Sequence, residues 1–150
     1  MIAYFDTSAL LPLLVEEIGT GRATVLWDEA DRVAAVRLVY AEGRAALAMA
    51  ARTGRIRRRE LPAVIRELEQ LYEQVDVVEV SDSLVRRAGG LAEKYSLRGY
   101  DAIHLAAAET LVDEDIVVVA GDGPLCRAAE ALGLAVARTG ERIPPAPLTR

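Results

Sequence analysis

Residues 2–10, IAYFDTSAL, decide the fold of this chain. Their first half is a short apolar run that ends at the carboxylate of Asp6, and their second half favours a helix. A short, β-rich apolar run bounded by a capping residue is typical of a buried strand, and Asp is favoured where a helix begins. The stretch therefore predicts a buried strand followed directly by a helix.

The same alternation continues along the chain. Besides 2–5, buried strands are predicted at residues 33–36, 75–80 and 116–120, with a weaker one at 134–137. Helices are predicted at 8–17, 21–30, 38–51, 82–95, 100–112 and 124–132, and a further stripe of helical period begins at Leu61. Gly89 and Gly90 fall inside a helix, which predicts close packing against a neighbour. The alternation predicts right-handed crossovers and a parallel sheet covered on both faces.

The composition is that of one folded domain. The 150 residues are 52% hydrophobic and 27% charged, which excludes disorder for the body of the chain. The single cysteine, Cys126, excludes an internal disulfide, and the single histidine, His104, excludes a multi-histidine metal site. No apolar run is long enough to cross a bilayer and no leader-like segment opens the chain, so we expect a cytoplasmic protein. Residues 1–138 are expected to form the domain and the proline-rich residues 139–150 a tail.

Two acidic residues follow buried strands directly. Asp6 ends the first predicted strand, and Asp122 follows the fourth in the stretch VVVAGDG at residues 117–123. Ligands bind at the carboxyl edge of a parallel sheet where the strand order reverses. If strands one and four are neighbours, both acids face the same crevice. Taken singly, each acid is equally well explained as the N-cap of the following helix.

Two more acidic residues lie on helices that are otherwise largely apolar. Glu42 is in the first half of the helix at 38–51, and Asp101 opens the helix at 100–112. A buried carboxylate is costly unless a cation or hydrogen bonds compensate it. The alternatives are that Asp101 is a first-turn acid favoured by the helix dipole, and that Glu42 pairs with Arg37 or Arg44 on a solvated face.

One site that contains all four acids explains them together. Four close carboxylates cannot all stay ionised without a counter-charge, and oxygen ligands without His or Cys select Mg²⁺ or Mn²⁺. Such a site fits metal-assisted phosphodiester hydrolysis, in which the ions activate a water and stabilise the departing oxygen. The formal charge of −5 argues against non-specific nucleic-acid binding, but bound divalent ions reverse that argument locally.

These motifs resemble the PIN domain, and more narrowly the VapC-type toxins of bacterial and archaeal toxin–antitoxin pairs. The matching stretches are DTSAL at 6–10, AE at 41–42, YDAIHLAAA at 100–108 and GDGPL at 121–125, in register from residue 2 to about 138. The resemblance implies a three-layer α/β/α fold with a central parallel sheet of four to five strands. It also implies an Mg²⁺- or Mn²⁺-dependent endoribonuclease that forms homodimers and is inhibited by a small VapB-like antitoxin.

The resemblance further implies site residues. It makes Asp6, Glu42, Asp101 and Asp122 the acidic quartet and places Ser8 beside the metal. We assign Asp6 and Asp101 as the principal direct ligands, with Glu42 and Asp122 completing the site. The chain departs from the family at Ala120, where a Thr or Ser usually stands two positions before the last acid. This departure weakens the assignment of Asp122 in particular.

Two residues near Asp101 and the low aromatic content also bear on the site. Arg98, close to Asp101, is a candidate for gripping the RNA backbone. His104 lies three residues after Asp101 on the same helix face, which is compatible with a ligand or general-acid role, but a lone histidine in an apolar helix favours a packed, hydrogen-bonded core residue. Aromatic residues make up only 5% of the chain, so no base-stacking platform is evident from the sequence.

Three alternative functions remain open. A phosphohydrolase of the haloacid-dehalogenase type also places an Asp after strand one, but it usually has a second Asp two residues later, where this chain has Ser8. A phospho-acceptor receiver domain needs an acidic pair after strand one and an acceptor Asp at the end of strand three. A catalytically silent PIN-like binding module would keep the fold without the chemistry.

Overall fold

The computed structural model describes residues 1–112, 114–121 and 123–140. The strands are β1 (Ile2–Phe5), β2 (Arg32–Val36), β3 (Asp76–Val78), β4 (Ile116–Ala120) and β5 (Ala135–Arg138). The α-helices are α1 (Thr7–Leu10), α2 (Thr20–Glu29), α3 (Val39–Arg52), α4 (Leu61–Glu73), α5 (Asp82–Tyr95), α6 (Gly99–Glu109) and α7 (Gly123–Ala131). The predicted alternation of strands and helices is confirmed.

The five strands form one parallel sheet in the order β3-β2-β1-β4-β5. β1 is therefore central and pairs with β4 along its whole length, from Ile2 opposite Ile116 to Phe5 opposite Val119. The chain winds outward from β1 to β3 and returns to β4 on the other side, so the strand order reverses between β1 and β4. This confirms that the first and fourth strands are neighbours, and the carboxyl ends of such a strand pair are where open α/β sheets commonly bind ligands.

Each face of the sheet carries its own apolar layer. Tyr4 of β1 points into the layer covered by α5, α6 and α7, together with Leu91 and Leu105. The next residue, Phe5, points into the opposite layer with Leu47 and Leu68 of α3 and α4. Successive side chains of a strand point to opposite faces, so one strand serves both layers. The three-layer α/β/α architecture is confirmed.

The predicted helix at 8–17 is wrong beyond its first turn. α1 ends at Leu10, and a short 3₁₀ turn, Leu11–Leu13, follows it. Pro12 has no backbone N–H to donate to the preceding turn, so an α-helix cannot continue through it unperturbed. The Pro12 carbonyl instead accepts the Thr20 hydroxyl at 2.7 Å, which ties the turn to the start of α2.

The prediction that Gly89 and Gly90 pack closely against a neighbour is also wrong. Both lie on the exposed face of α5, and a Cβ added at either position meets no atom within 4 Å. Gly43 on α3 shows the contrasting situation, since a Cβ there lies 3.3 Å from two Leu68 methyl carbons. Glycine is thus dictated by packing at Gly43 and not at the α5 pair.

Replacing the α5 glycines is expected to stabilise the protein. Gly89→Ala and Gly90→Ala should each raise the free energy of unfolding by about 1 kcal/mol, because alanine loses less backbone entropy in a helix. Gly43→Ala is the matched control and should gain clearly less, because its Cβ crowds the buried Leu68. Urea denaturation of the three variants measures this order, and an equal gain at all three positions would contradict it.

The carboxyl-terminal part of the described chain is attached to the sheet. Thr139 is buried and its backbone N–H donates to the Ala120 carbonyl at 3.1 Å. The predicted tail beyond it lies almost wholly outside the described residues, so the boundary at 138 stays a prediction. Within the described ranges no helix has the length and apolarity needed to cross a membrane.

Candidate active site

Asp6 lies at the carboxyl end of the central strand, and its side chain is almost fully buried. The residue is 4% exposed. Its Oδ2 accepts the Ser8 hydroxyl at 2.5 Å and the Ser8 backbone N–H at 3.3 Å. Asp6 is therefore the N-cap of α1, as the simpler interpretation predicts, but its other oxygen, Oδ1, lies 3.3 Å from Nε2 of His104. The cap and the site share one carboxylate.

Ser8 connects the ends of β1 and β4. Its hydroxyl donates to Asp6 and accepts the backbone N–H of Gly121 at 2.9 Å. The predicted fourth acid, Asp122, is the next residue after Gly121 and lies outside the described residues. Ala120, where the family usually has a hydroxyl, is fully buried. The Ser8 hydroxyl thus links Asp6, in the first motif of the sequence, to Gly121, in the last.

Glu42 lies in the first turn of α3 and does not pair with either arginine suggested by the sequence. Arg37 bonds Glu79 and Tyr72, and Arg44 bonds Tyr40. Oε1 of Glu42 instead accepts the Thr7 hydroxyl at 3.1 Å and contacts Nε2 of His104 at 2.7 Å. The solvated-face interpretation of Glu42 is wrong, because these partners turn the carboxylate inward.

Asp101 lies in the first turn of α6 and shares a cleft with Glu42. The cleft is about 440 Å³ and is lined by Glu42, Asp101, Arg98, Tyr100, Ser96, Leu97 and Pro124. Arg98 is exposed at the start of α6. Tyr100 is 64% exposed, which is unusual for a large aromatic side chain in this protein. The cleft therefore combines two carboxylates with the guanidinium group of Arg98 and the aromatic ring of Tyr100.

His104 lies at the centre of these acids. Its Nδ1 is 3.0 Å from the Tyr4 hydroxyl, and its Nε2 faces Glu42, Asp6 and, at 3.4 Å, the Thr7 hydroxyl. The residue is 1% exposed, so the interpretation as a packed, hydrogen-bonded histidine is confirmed. The three-residue spacing from Asp101, which puts both residues on one helix face, is the sequence signal that places His104 beside the acids.

Burial and charge act in opposite directions on the central groups. Burial is the largest influence on His104 and disfavours its charged form, but the hydrogen bond with Glu42 and the charges of Asp6, Glu42 and Asp101 raise its pKa above the ordinary value. Burial, with the charges of Asp6 and Glu42, raises the pKa of Tyr4 well above its ordinary value. Three carboxylates from three different elements therefore act on one imidazole.

The chemistry of the donors fits a hard divalent cation. Asp6, Glu42 and Asp101 offer carboxylate oxygens, which Mg²⁺ and Mn²⁺ prefer, and Asp6 is too buried to be solvated as a free anion. Among residues 1–112, 114–121 and 123–140, however, no three His, Cys, Asp or Glu side chains stand together as a complete metal-holding group. The described acids fit such an ion by the type of their donor atoms.

A five-stranded parallel sheet with carboxylates at its strand-order reversal defines a three-layer α/β domain, the architecture that the resemblance to PIN domains implies. The family model of the PIN domain matches residues 3–131. Ribonuclease VapC45 of Mycobacterium tuberculosis (strain CDC 1551 / Oshkosh) is 40% identical over 136 residues, which cover 91% of this chain and 94% of the relative. The chain belongs to the PIN-domain family and is of VapC type.

Solved structures show the same fold. VapC20 of Mycobacterium tuberculosis, described as a Sarcin-Ricin loop cleaving toxin, superposes with a TM-score of 0.64 at 22% identity, covering 91% of this chain and 98% of its own. VapBC-1 of nontypeable Haemophilus influenzae superposes with a TM-score of 0.62 at 18% identity, covering 94% of this chain and 100% of its own. These superpositions confirm the expected fold, and the family-model match with the 40% identical relative confirms the expected family.

Proposed function

We propose that this protein is a divalent-cation-dependent endoribonuclease that acts as the toxin of a toxin–antitoxin pair. The observation that carries the proposal is the convergence of Asp6, Glu42 and Asp101, from three separate elements, on one buried imidazole beside an open cleft. The 40% identity to a protein named as a ribonuclease supports RNA as the substrate.

The chain's own residues have distinct tasks in this proposal. Asp6 and Asp101 would hold a divalent cation directly, and Glu42 and Asp122 would complete the site. When bound, such ions supply charge stabilisation at the phosphate and an activated water. In the hydrolysis, a water oxygen would bond to phosphorus as the bond from phosphorus to the leaving ribose oxygen breaks, and a proton from that water would end on the released ribose hydroxyl. Ser8 holds Asp6 in place and ties it to the end of β4.

RNA cleavage in vitro tests the proposal. Purified protein is incubated with total cellular RNA and Mn²⁺ or Mg²⁺, and new 5′ ends are mapped by sequencing. We expect defined cleavage sites that disappear when EDTA is added. Asp6→Asn protein purified in parallel controls for contaminating ribonucleases. Cleavage that persists in EDTA, or that is equal in the Asp6→Asn preparation, would contradict the proposal.

The phosphohydrolase and the catalytically silent module would each give a different result in the same experiment. A phosphohydrolase turns over p-nitrophenyl phosphate and leaves RNA intact. A catalytically silent module gains thermal stability with Mn²⁺ but cleaves no RNA. The hydroxyl of Ser8 donates to Asp6, so this position serves the first acid and does not supply the second Asp that a dehalogenase-type enzyme uses.

Arg98 and Tyr100 are proposed to contact the RNA next to the scissile phosphate. Arg98→Ala and Tyr100→Ala should each reduce RNA cleavage, because Arg98 lies where it can pair with phosphate and Tyr100 where it can stack on an unpaired base. Removing the ring that stacks on one base typically costs about 1–3 kcal/mol of binding free energy. We therefore expect about a 5- to 150-fold lower kcat/KM for Tyr100→Ala.

The control for this prediction keeps the ring. Tyr100→Phe retains the stacking surface and should keep most of the activity, and none of the three variants should change Mn²⁺ affinity. Single-turnover cleavage of a short RNA that contains a mapped site provides the measurement. If Tyr100→Ala cleaves as fast as Tyr100→Phe, the ring does not contact the substrate.

The proposal includes a protein partner and a dimer. A small VapB-like antitoxin would bind the toxin and suppress cleavage, and the toxin would act in the cytoplasm, where its RNA substrate is found. Expression of the toxin alone should arrest growth, and co-expression with a neighbouring open reading frame that encodes a small DNA-binding protein should relieve that arrest.

Sedimentation analysis of the purified toxin should give the mass of a homodimer.

A further inference from the structure

A buried chain of polar contacts runs from the apolar core to the acids. It begins at the Tyr4 hydroxyl, passes through both ring nitrogens of His104, and ends at Glu42 and Asp6. Tyr4 and His104 are 0% and 1% exposed, and their rings meet edge-to-face. The other buried residues of α6 are alanine or leucine. His104 is thus the polar exception among the buried residues of α6, and both of its ring nitrogens have partners.

The proton on Nε2 follows from the partners. An ionised carboxylate only accepts hydrogen bonds, so with Glu42 as the acceptor the 2.7 Å contact is made by N–H at Nε2. The Tyr4 hydroxyl either donates to a neutral Nδ1 or accepts from a protonated one. The donor that faces Glu42 and Asp6 is therefore present in both charge states of His104. Tyr4 keeps the ring in the orientation that presents it.

Two donors act on the same oxygen of Glu42. Nε2 of His104 and the hydroxyl of Thr7 both reach Oε1, and the same Nε2 lies 3.3 Å from Asp6 Oδ1. A glutamate side chain has several rotatable bonds, and holding it in one rotamer before a ligand arrives reduces the entropy lost on binding. Hydrogen-bond partners behind the ligands of a metal site commonly set its affinity in this way.

We propose that His104 is a positioning residue whose Nε2–H, kept in place by Tyr4, holds Glu42 and Asp6 in the arrangement that takes up a divalent cation. The inference rests on the proposed function, because it assumes that these acids bind the ion. His104 is not assigned to the cation or to the RNA. Its effect on cleavage would arise only through the two carboxylates.

A matched pair of amides separates this role from simple filling of the core. In His104→Gln the amide nitrogen reaches about as far as Nε2 and can still donate to Glu42. In His104→Asn the side chain is one methylene shorter, so its amide reaches only the level of Nδ1. Both variants place an amide in the same buried position, so general destabilisation affects both. Tyr4→Phe removes only the hydroxyl that orients the ring.

Mn²⁺ binding to the RNA-free protein, measured by isothermal titration calorimetry, tests the inference. We expect His104→Asn to weaken binding by about 10- to 100-fold, the usual effect of losing a partner behind a metal ligand. His104→Gln should stay within a few-fold of the wild type. Tyr4→Phe, which keeps the core volume, should weaken binding by about 5-fold, equivalent to one hydrogen bond of about 1 kcal/mol.

Two failures are distinguishable in this experiment. If the wild type binds Mn²⁺ and Asp6→Asn does not, but His104→Asn, His104→Gln and Tyr4→Phe all bind like the wild type, the positioning role is overturned and the proposed function stands. If the wild type binds no Mn²⁺, both are overturned. Circular dichroism of each variant verifies the fold, and Tyr4→Phe keeps the test decisive if an amide variant does not fold.

Discussion

Asp6→Asn is expected to abolish metal-dependent RNA cleavage while the protein stays folded. The substitution removes the charge of the most buried acid in the site. Loss of a residue behind a metal ligand typically costs 10- to 100-fold in activity, so loss of a ligand itself should exceed about 100-fold. Asn caps a helix about as well as Asp, so the start of α1 should survive and the melting temperature should change little.

The measurement compares rates on one mapped RNA substrate at saturating Mn²⁺. Circular dichroism and thermal melting of the same preparation show whether the fold is retained. Lost cleavage together with an intact fold supports a role in the site. Cleavage within a few-fold of the wild type would mean that Asp6 is only the N-cap of α1, and the acidic site would lose its central member.

Asp101→Asn is expected to have a similarly large effect on cleavage, and the chain provides a close control. Asp82 occupies the first turn of α5 as Asp101 occupies the first turn of α6, so each acid meets the positive end of a helix dipole. Asp101 lines the cleft and acts on His104. Asp82 is exposed and pairs with Arg86. Asp101→Asn and Asp82→Asn are the same substitution in the same turn of a helix, and they differ in where that helix lies.

We therefore expect Asp101→Asn to reduce kcat/KM by more than about 100-fold, again above the effect of losing an outer partner. Asp82→Asn should cleave RNA like the wild type. Both should lose a similar, small amount of helix-dipole stabilisation. If Asp101→Asn also cleaves RNA normally, Asp101 serves only to stabilise the first turn of α6, and the proposed metal site does not include it.

Local sequence was sufficient for the parts of the fold that depend on burial. The run at 2–5 is apolar because both faces of the central strand are covered, and α5 begins at Asp82 where Ser81 caps it by accepting the Leu84 N–H. The predicted helix at 8–17 is too long because its apolar spacing is helical but Pro12 interrupts it. The interpretation of Gly89 and Gly90 failed because sequence does not show which helix face meets a neighbour.

The site was partly predictable for a related reason. Asp6 is predicted because it follows the first buried strand, and Glu42 because a carboxylate on an apolar helix needs compensation. The structure supplies a partner for both at His104. The compensating network was not predictable, since Tyr4 and His104 are one hundred residues apart in sequence and meet only through the packing of α6 on β1. The pairing of Glu42 with the Thr7 hydroxyl also depends on how α3 approaches α1.

The most direct test of the central claim is the position of Mn²⁺ in a crystal grown with that ion. Anomalous scattering identifies the metal independently of the protein. The account predicts a peak at about 2.1 Å from carboxylate oxygens of Asp6 and Asp101, in the cleft beside Glu42. Peaks confined to other acids, with Asp6 and Asp101 turned away from any metal, would contradict it.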